Sequence, residues 1–336
     1  MKTVHLVIPD LFLQQELAAE ICAGMRLPAL EKLLARGHGE ALPDASLESV
    51  LCGAFGVPCA GELPLASIAA AFDGLGEGCW LCADPVHLRL QGSQMLLLAD
   101  MDVAADEAGE LCTALNAYFA GQGMEFFAPH PQRWYVRLGS PPQIDTVPLS
   151  QAAGRNVSGL LPGGADAAHW HRLFNEMQML LFAHPVNEAR EARGALPLNS
   201  VWLWGGGHLA ALPQGEYDRV VADGGQAEMF AAAAGVPFAP WPADWRAQDF
   251  GGRQLLVWGG LRAALRRGDL SGWRAALRGF EEHCAQPVWQ ALRSGRIARL
   301  RLDAGGLRGW RRISLTRADA WRFWRRGGRF AEYLRV

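Results

Sequence analysis

The chain has 336 residues, of which 50% are hydrophobic and 20% are charged, and its formal net charge at pH 7 is −2. This composition is typical of a globular protein with an ample core, and the near-neutral charge gives no global attraction to nucleic acid or to a membrane surface. The length favours two domains, or one core that carries a large insertion.

Targeting signals are not expected in this sequence. The apolar run at the N-terminus turns into Pro9 and Asp10 too early for the core of a secretory signal. No apolar run reaches the roughly 20 residues that a membrane-spanning helix needs. The seven cysteines, an odd number, fit a reducing compartment. The sequence therefore predicts a cytoplasmic protein without membrane association.

The first part of the chain begins with a strand and continues in helices. Residues 3–8 predict a buried strand that ends just before Asp10. Residues 42–58 predict a loop that enters a helix at Ser46, a residue type suited to capping a helix N-terminus. Helical periodicity is present in residues 14–22, 28–36 and 65–73.

The pattern changes at about residue 80. Apolar runs on both sides of residues 91–93 predict a β-hairpin. Residues 104–120 and 166–183 predict helices, and residues 133–138 alternate as a strand. These elements are sufficient for an α+β unit of their own.

After Asn199 the chain returns to an alternation of strands and helices. Strands are predicted at residues 201–204, 218–223, 254–258 and 296–302, and helices at residues 225–234, 260–267, 271–294 and 317–326. Helices between apolar strands imply a mostly parallel sheet that is covered by helices on both faces. We therefore expect an α/β core of residues 1–80 and 196–336, with residues 81–195 inserted as an α+β lobe.

The end of the chain is rich in arginine. Residues 293–335 contain thirteen arginines, three acidic residues and three tryptophans. Arginines interleaved with aromatic residues can bind phosphates or single-stranded nucleic acid. The same pattern fits an amphipathic helix whose tryptophan face packs and whose arginine face is solvated. We favour the helix and do not expect nucleic acid as a partner.

Polar residues in the segment 184–199 have a spacing that core packing does not explain. The candidates for ligand binding are His184, Asn187, Arg190 and Asn199. In one interpretation Arg190 binds a phosphate or carboxylate with its forked guanidinium while Asn187 orients it. In the other, imidazole and amide groups satisfy backbone groups at a helix end. The glycines at 205–207 allow either a close approach to a ligand or a simple turn.

This segment resembles the archaeal-type, cofactor-independent phosphoglycerate mutases of the alkaline phosphatase superfamily. That family carries a His-Pro-x-Asn-x-x-Arg-x-x-x-Gly run, then Pro-x-Asn, then an apolar strand that ends in glycines. The matching positions here are His184, Pro185, Asn187, Arg190, Gly194, Pro197, Asn199 and residues 202–205. The resemblance covers most of the chain and becomes thin after about residue 235. It points to a degenerate bacterial branch, related to proteins labelled pathogenicity-factor regulatory proteins.

The resemblance implies a mechanism and a set of site residues. These enzymes transfer a phosphoryl group through a Ser or Thr nucleophile held between two divalent metals such as Mn or Mg. Asp10 matches the family's aspartate after the first strand and becomes a metal and catalytic candidate. Ser46 lies near the nucleophile position, with a one-residue shift and without the family's Gly-Ser-Asp context. Asp303 matches the aspartate of an Asp-His pair, whose histidine is replaced by Ala304.

Further metal ligands are expected in residues 258–269, where this chain has three arginines and Asp269 as the sole acid. Arginine does not ligate metals, so the loss of several ligands predicts a degenerate two-metal site. Two function classes remain. The first is a regulatory protein that binds a small anionic metabolite or a protein partner. The second is an active phosphoglycerate mutase or phosphatase with an altered metal site. The ligand count favours the first class, in which Asp10 and Ser46 cap the helices that follow them.

Overall fold

The computed structural model describes residues 2–13, 21–22, 24–58, 61–207, 216–306, 309–325 and 328–333. The chain forms two compact units. The core unit consists of Met1–Val57 and Leu212–Val336, and the inserted unit consists of Pro58–Ala211.

Strands and helices occur in both units. The strands of the described residues are β1 (Thr3–Ile8), β2 (His38–Leu42), β3 (Cys79–Gln91), β4 (Gln94–Leu98), β5 (Met124–His130), β6 (Arg133–Leu138), β7 (Ser200–Trp204), β8 (Arg219–Ala222), β9 (Phe238–Pro240), β10 (Arg253–Val257), β11 (Arg299–Gly306) and β12 (Gly309–Thr316). The helices are α1 (Pro28–Arg36), α2 (Leu47–Ala54), α3 (Leu65–Phe72), α4 (Ala105–Tyr118), α5 (Leu149–Ala152), α6 (Ala167–Phe182), α7 (Pro185–Ala192), α8 (Gly225–Ala233), α9 (Arg262–Arg266), α10 (Leu270–Phe280), α11 (Gln286–Ser294) and α12 (Phe330–Tyr333). None of these helices is both long and apolar enough to cross a membrane.

The core unit is built on a seven-stranded sheet in the order β2-β12-β11-β1-β10-β8-β9. The five strands from β11 to β9 are parallel to one another, whereas β12 and β2 run antiparallel to their neighbours. The sheet is flanked by helices, and the predicted α/β fold with a mostly parallel sheet is confirmed.

Strand alternation divides β1 between the two faces of the sheet. Val4, Leu6 and Ile8 point into a large apolar core that they share with residues of α1, α10 and α11. His5 and Val7 point to the opposite face. In the register of the sheet, Val7 lies beside Asp303 of β11 on one side and beside Val257 of β10 on the other. Asp303 therefore lies on the same face of the sheet as His5, whose own register partner on β11 is Arg301.

The inserted unit contains an antiparallel sheet in the order β4-β3-β6-β5, with β7 paired to β3. Helices α4 and α6 contribute to its apolar core. The predicted lobe began after residue 80 and ended before residue 196. The limits in the structure differ because α3 packs on β3 and β7 pairs with β3, so both elements belong to this unit.

The helices predicted at residues 14–22 and 317–326 have different outcomes. The predicted helix at residues 14–22 falls mostly outside the described residues. The predicted helix at residues 317–326 is wrong, because within residues 317–325, the described part of that range, the helical segment is the short 3-10 helix Asp319–Trp321. The carboxylate of Asp319 accepts hydrogen bonds from both the amide and the hydroxyl of Thr316, which favours a turn after β12 over a continued helix.

Candidate functional site

The carboxyl ends of the parallel strands bring polar groups together at one edge of the core sheet. Asp10 follows β1, Gly259 follows β10 and Asp223 follows β8, and these three strands are neighbours. The amide of Gly259 donates to Oδ1 of Asp223 at 2.6 Å. Ligands of open α/β sheets bind at such an edge. We call Asp10, Asp223, Gly259 and Arg262 the edge cluster.

Asp10 is paired with an arginine. Nε of Arg262, the first residue of α9, donates to Oδ2 of Asp10 at 2.9 Å, and both side chains are partly exposed. Asp10 also has a left-handed backbone with φ of 59°, a conformation that aspartate tolerates better than most residues. Its carboxylate, one of the predicted metal ligands, therefore faces a guanidinium group from residues 258–269, where the sequence predicted further metal ligands.

Asp303, the other predicted metal ligand, is fully buried between three donor groups. Its side chain is 0% exposed. Arg312 of β12 donates to it from both Nε, at 2.9 Å to Oδ1, and Nη2, at 2.8 Å to Oδ2. Nε2 of His5 lies 2.8 Å from Oδ2. The carboxylate thus has a bidentate arginine and a histidine as partners.

The charges in this network follow from burial and hydrogen bonding. Burial alone raises the pKa of Asp303, but the hydrogen bonds from His5 and Arg312 outweigh it and lower the pKa to about 2. Burial lowers the pKa of His5, so its ring is neutral and donates from Nε2 to the ionised Asp303. Nδ1 then accepts from the hydroxyl of Tyr217 at 2.7 Å, and burial raises the pKa of that hydroxyl to about 12.

The residues at the predicted metal positions do not fit a two-metal site. Both carboxylates are neutralised by arginine, and Ala304, in place of the family's histidine, is buried in the apolar core. Within the described ranges, no group of three or more His, Cys, Asp or Glu side chains is arranged to hold a metal ion. Asp303 lies in a buried ion-paired network, and Asp10 lies in a partly exposed ion pair.

Ser46, the predicted nucleophile, caps helix α2. Its Oγ accepts from the amide of Ser49 at 3.1 Å, and Oγ of Ser49 accepts from the amide of Ser46 at 2.8 Å. This reciprocal pair is a capping box, which satisfies two backbone donors at the helix N-terminus. The predicted N-cap is confirmed, whereas the nucleophilic role of Ser46 stays a prediction.

Arg190 is buried inside the inserted unit and is held by protein groups. Its side chain is 2% exposed, and Nη1 donates to Oε2 of Glu107 at 2.6 Å. Nε donates to the carbonyl of Leu196 and Nη2 to that of Asp102, each at 2.8 Å. Glu107 also accepts from Arg193. All three nitrogens of the guanidinium group therefore have internal partners, and anion binding by Arg190 stays a prediction.

The other three predicted ligand-binding residues also make internal hydrogen bonds. The side-chain amide of Asn187 donates from Nδ2 to the carbonyl of Leu198 at 3.0 Å, and its Oδ1 accepts from the backbone amide of Leu198 at 2.7 Å. Asn199 makes the same pair of bonds with Leu88: its Nδ2 donates to the carbonyl at 2.9 Å, and its Oδ1 accepts from the backbone amide at 2.7 Å. Nδ1 of His184 accepts from an amide at the start of α7. This is the helix-end and loop network of the second interpretation, and ligand binding by these residues stays a prediction.

The glycines after β7 hold an internal carboxylate. Oε1 of Glu62 accepts from the amides of Gly205 at 3.0 Å and Gly206 at 3.2 Å. Thr146 donates to the same carboxylate from its amide and its hydroxyl. A side chain at Gly207 would collide with the backbone carbonyl of Glu62, so the close approach that these glycines permit is used within the chain.

Several residues of these networks were not singled out from the sequence. Asp223 ends an apolar strand just as Asp10 does, so its position carried a usable signal. His5 interrupts an otherwise apolar strand, which is a weaker signal for a buried polar contact. Arg262 was noted only as one of three arginines in residues 258–269, and Arg312 carries no local signal; the acidic partner of each follows or lies on another strand of the sheet.

Comparison with known proteins gives relatives of one kind. No protein-family model matches the chain. The 2,3-bisphosphoglycerate-independent phosphoglycerate mutase of Methanosarcina mazei is 25% identical over 198 residues, which are 56% of this chain and 50% of that enzyme. The enzyme of the same name from Methanosarcina acetivorans is 25% identical over 206 residues, again 56% and 50% of the two chains. The chain thus spans about half the length of these curated relatives.

One solved structure shares the fold. The PH0037 protein from Pyrococcus horikoshii superposes with a TM-score of 0.54 at 12% sequence identity, over 99% of this chain and 92% of that one. The resemblance to phosphoglycerate mutases therefore has support from sequence relatives, and the fold has support from a structural neighbour.

Proposed function

We propose that this chain is a phosphoglycerate-mutase-like protein with a degenerate two-metal site, which binds a small anionic metabolite or a regulatory protein partner instead of transferring phosphoryl groups. The observation that carries the proposal is the pairing of both predicted metal carboxylates, Asp10 and Asp303, with arginine. The sequence relatives support the ancestry, since they bear the name of a phosphoglycerate mutase.

Replacement of metals by arginine changes what the site can do. A guanidinium group neutralises a neighbouring carboxylate, but unlike a divalent metal it cannot coordinate a serine oxygen directly and lower the pKa of the hydroxyl in that way. Ser46, the candidate nucleophile, is engaged in a capping box at the start of α2. These features favour binding over phosphoryl transfer.

The same edge of the sheet offers groups that bind anions. Helix α9 begins with Arg262 and ends with Arg266, and Arg267 follows it directly. Arg266 and Arg267 are exposed. Guanidinium groups bind phosphates and carboxylates through paired hydrogen bonds. We therefore propose that a phosphorylated metabolite binds beside the edge cluster through the arginines of α9.

Calorimetric titration with 3-phosphoglycerate and with inorganic phosphate, both in EDTA, tests anion binding. We expect saturable binding of at least one probe without metal. The double variant Arg266→Gln/Arg267→Gln should weaken it about tenfold, which corresponds to about 1.4 kcal/mol. Arg278→Gln removes an exposed arginine of α10 and serves as the matched control, with unchanged affinity. Absence of saturable binding, or equal affinity in the double variant, would contradict the anion site.

The active-enzyme alternative has its own assay. Isomerisation of 3-phosphoglycerate and hydrolysis of a generic phosphate ester are measured with added Mn²⁺ or Mg²⁺. We expect no metal-dependent turnover. Turnover that requires metal and is lost in Asp10→Ala and Ser46→Ala would replace the binding proposal with an altered but active mutase or phosphatase.

A further inference from the structure

Three large aromatic side chains are exposed in one turn near the end of the chain. Trp321, Phe323 and Trp324 are 55%, 75% and 66% exposed. A contiguous exposed apolar patch often marks a protein interface, and tryptophan, phenylalanine and arginine are enriched at such interfaces. We call residues 321–325 the aromatic turn.

Contacts with the core unit fix the aromatic turn in place. Arg322 donates to the buried carboxylate of Asp319 at 2.9 Å, and Nη1 of Arg325 donates to the carbonyl of Gly37 at 3.1 Å. The guanidinium of Arg293 lies over the ring of Trp321, 5.1 Å from its centroid. A rigid turn loses little conformational entropy on association, so its exposed rings are ready to bind a partner.

The charge of the chain is divided unevenly between two stretches of equal length. Residues 293–335, which include the aromatic turn, hold thirteen arginines against three acids. The whole chain has a net charge of −2, so the remaining residues together carry −12. Residues 90–132 hold six acids and no lysine or arginine, and Asp102, Asp106 and Glu110 among them are exposed. We call residues 90–132 the acidic stretch.

We propose that the aromatic turn docks on a second copy of this chain, against the acidic stretch of that copy. A two-fold symmetric dimer makes this contact twice, because each copy offers both surfaces. Opposite charges steer the two copies together, and burial of the aromatic rings supplies most of the binding free energy. The proposal rests on surfaces outside the edge cluster and is independent of the proposed metabolite binding.

Charge pairing near the turn favours a protein over a nucleic acid as the occupant. Within the aromatic turn itself, Arg322 is paired with Asp319 and Arg325 donates to the carbonyl of Gly37, whereas most arginines of residues 293–335 lie outside the turn. Binding to a phosphate backbone requires a series of cations that replace condensed counterions. In the aromatic turn, the exposed rings of Trp321, Phe323 and Trp324 alternate with Arg322 and Arg325. Tryptophan and arginine are the residue types enriched in the hot spots of protein interfaces.

Sedimentation velocity over a range of protein concentrations tests the proposal. We expect dimers at about 50 mM salt that dissociate at about 500 mM, since screening weakens the attraction between exposed charges. Phe323→Ser/Trp324→Ser should raise the dimer dissociation constant at least tenfold. Met179→Ser/Phe182→Ser is the matched control, because it removes two apolar side chains of the inserted unit that are each 74% exposed, and it should leave the dimer intact.

A charge swap tests the assigned partner surface. Arg293→Glu and Asp106→Arg should each weaken the dimer, whereas an equimolar mixture of the two variants should restore it. In the mixed dimer, the glutamate that replaces Arg293 in one copy faces the arginine that replaces Asp106 in the other. The second contact keeps the original pair of Arg293 and Asp106. A monomer at every concentration overturns the proposal, as does a dimer that the aromatic variant leaves unchanged or a mixture without rescue. A monomer that binds a thymidine oligonucleotide or anionic vesicles through the aromatic turn also overturns it.

Discussion

Arg190→Ala is expected to lower the free energy of unfolding by about 3–5 kcal/mol, because it removes a buried guanidinium group and takes a donor from each of its three acceptors, one of which is the carboxylate of Glu107. The side chain of Arg190 is 2% exposed and donates to Glu107 and to two carbonyl groups. Loss of these donors leaves several buried acceptors unsatisfied. Urea denaturation followed by circular dichroism measures the change.

Arg193→Ala is the matched control for this prediction. Arg193 bonds the same carboxylate, but its side chain is 52% exposed. A solvent-exposed ion pair contributes less than about 1 kcal/mol, so this variant should remain close to the wild type. Equal effects of the two variants would contradict the assignment of Arg190 to the scaffold. A small effect of Arg190→Ala together with loss of anion binding would restore its predicted ligand role.

Asp303→Ala is expected to destabilise the core unit by about 2–4 kcal/mol, because it removes the buried acceptor shared by His5 and the partly exposed Arg312. Asp303 is 0% exposed and joins Arg312 of β12 to His5 of β1. Its loss leaves the bidentate guanidinium without an acceptor and the buried imidazole without its hydrogen bond. Chemical denaturation of the variant measures the loss of stability.

Glu282→Ala provides the control on the same unit. Glu282 lies 3.7 Å from Arg246, and both side chains are mostly exposed, so the variant should cost less than about 1 kcal/mol. If Asp303→Ala is no more destabilising than Glu282→Ala, the buried network does not contribute as described. If Asp303 bound a metal instead of pairing with Arg312, the wild-type protein would lose stability when EDTA is added.

The sequence predicted the parts of the fold that depend on local pattern. The apolar run of β1 and the polar residues after it placed Asp10 at a strand end, and Ser46 was recognised as a helix cap. Strand β2 was missed because its residues are mostly exposed and show no apolar alternation. The helix expected at residues 317–326 was wrong, because the spacing of arginine and tryptophan does not reveal that the carboxylate of Asp319 bonds the backbone of Thr316 and forms a turn.

The partners of the site residues could not be read from local pattern. Arg262 reaches Asp10 because β10 lies next to β1, a neighbourhood that only the order of strands in the folded sheet creates. Arg312 reaches Asp303 because β12 turns back on β11. The sequence shows three arginines in residues 258–269, where the resemblance predicted metal ligands, but the charge compensation of each carboxylate depends on these long-range contacts.

The family signature in residues 184–199 illustrates a different limit. Its spacing indicated a resemblance to phosphoglycerate mutases, which the sequence relatives support, and its residue types suggested a ligand site. In the structure, Asn187 and Asn199 instead bond backbone groups in the two-way manner of a strand neighbour. Amide side chains serve equally well in both roles, so composition alone cannot separate them. The same holds for a buried arginine, which binds a carboxylate of the protein as readily as that of a ligand.

Titration with Mn²⁺, followed by electron paramagnetic resonance on protein stripped with EDTA, tests the degenerate metal site most directly. With Asp10 and Asp303 each paired to an arginine, we predict that the signal of hydrated Mn²⁺ persists and that any affinity is weaker than a dissociation constant of about 1 mM. Binding of about two Mn²⁺ per chain in the micromolar range, as two-metal catalysis requires, would contradict the account if Asp10→Ala or Asp303→Ala abolished it.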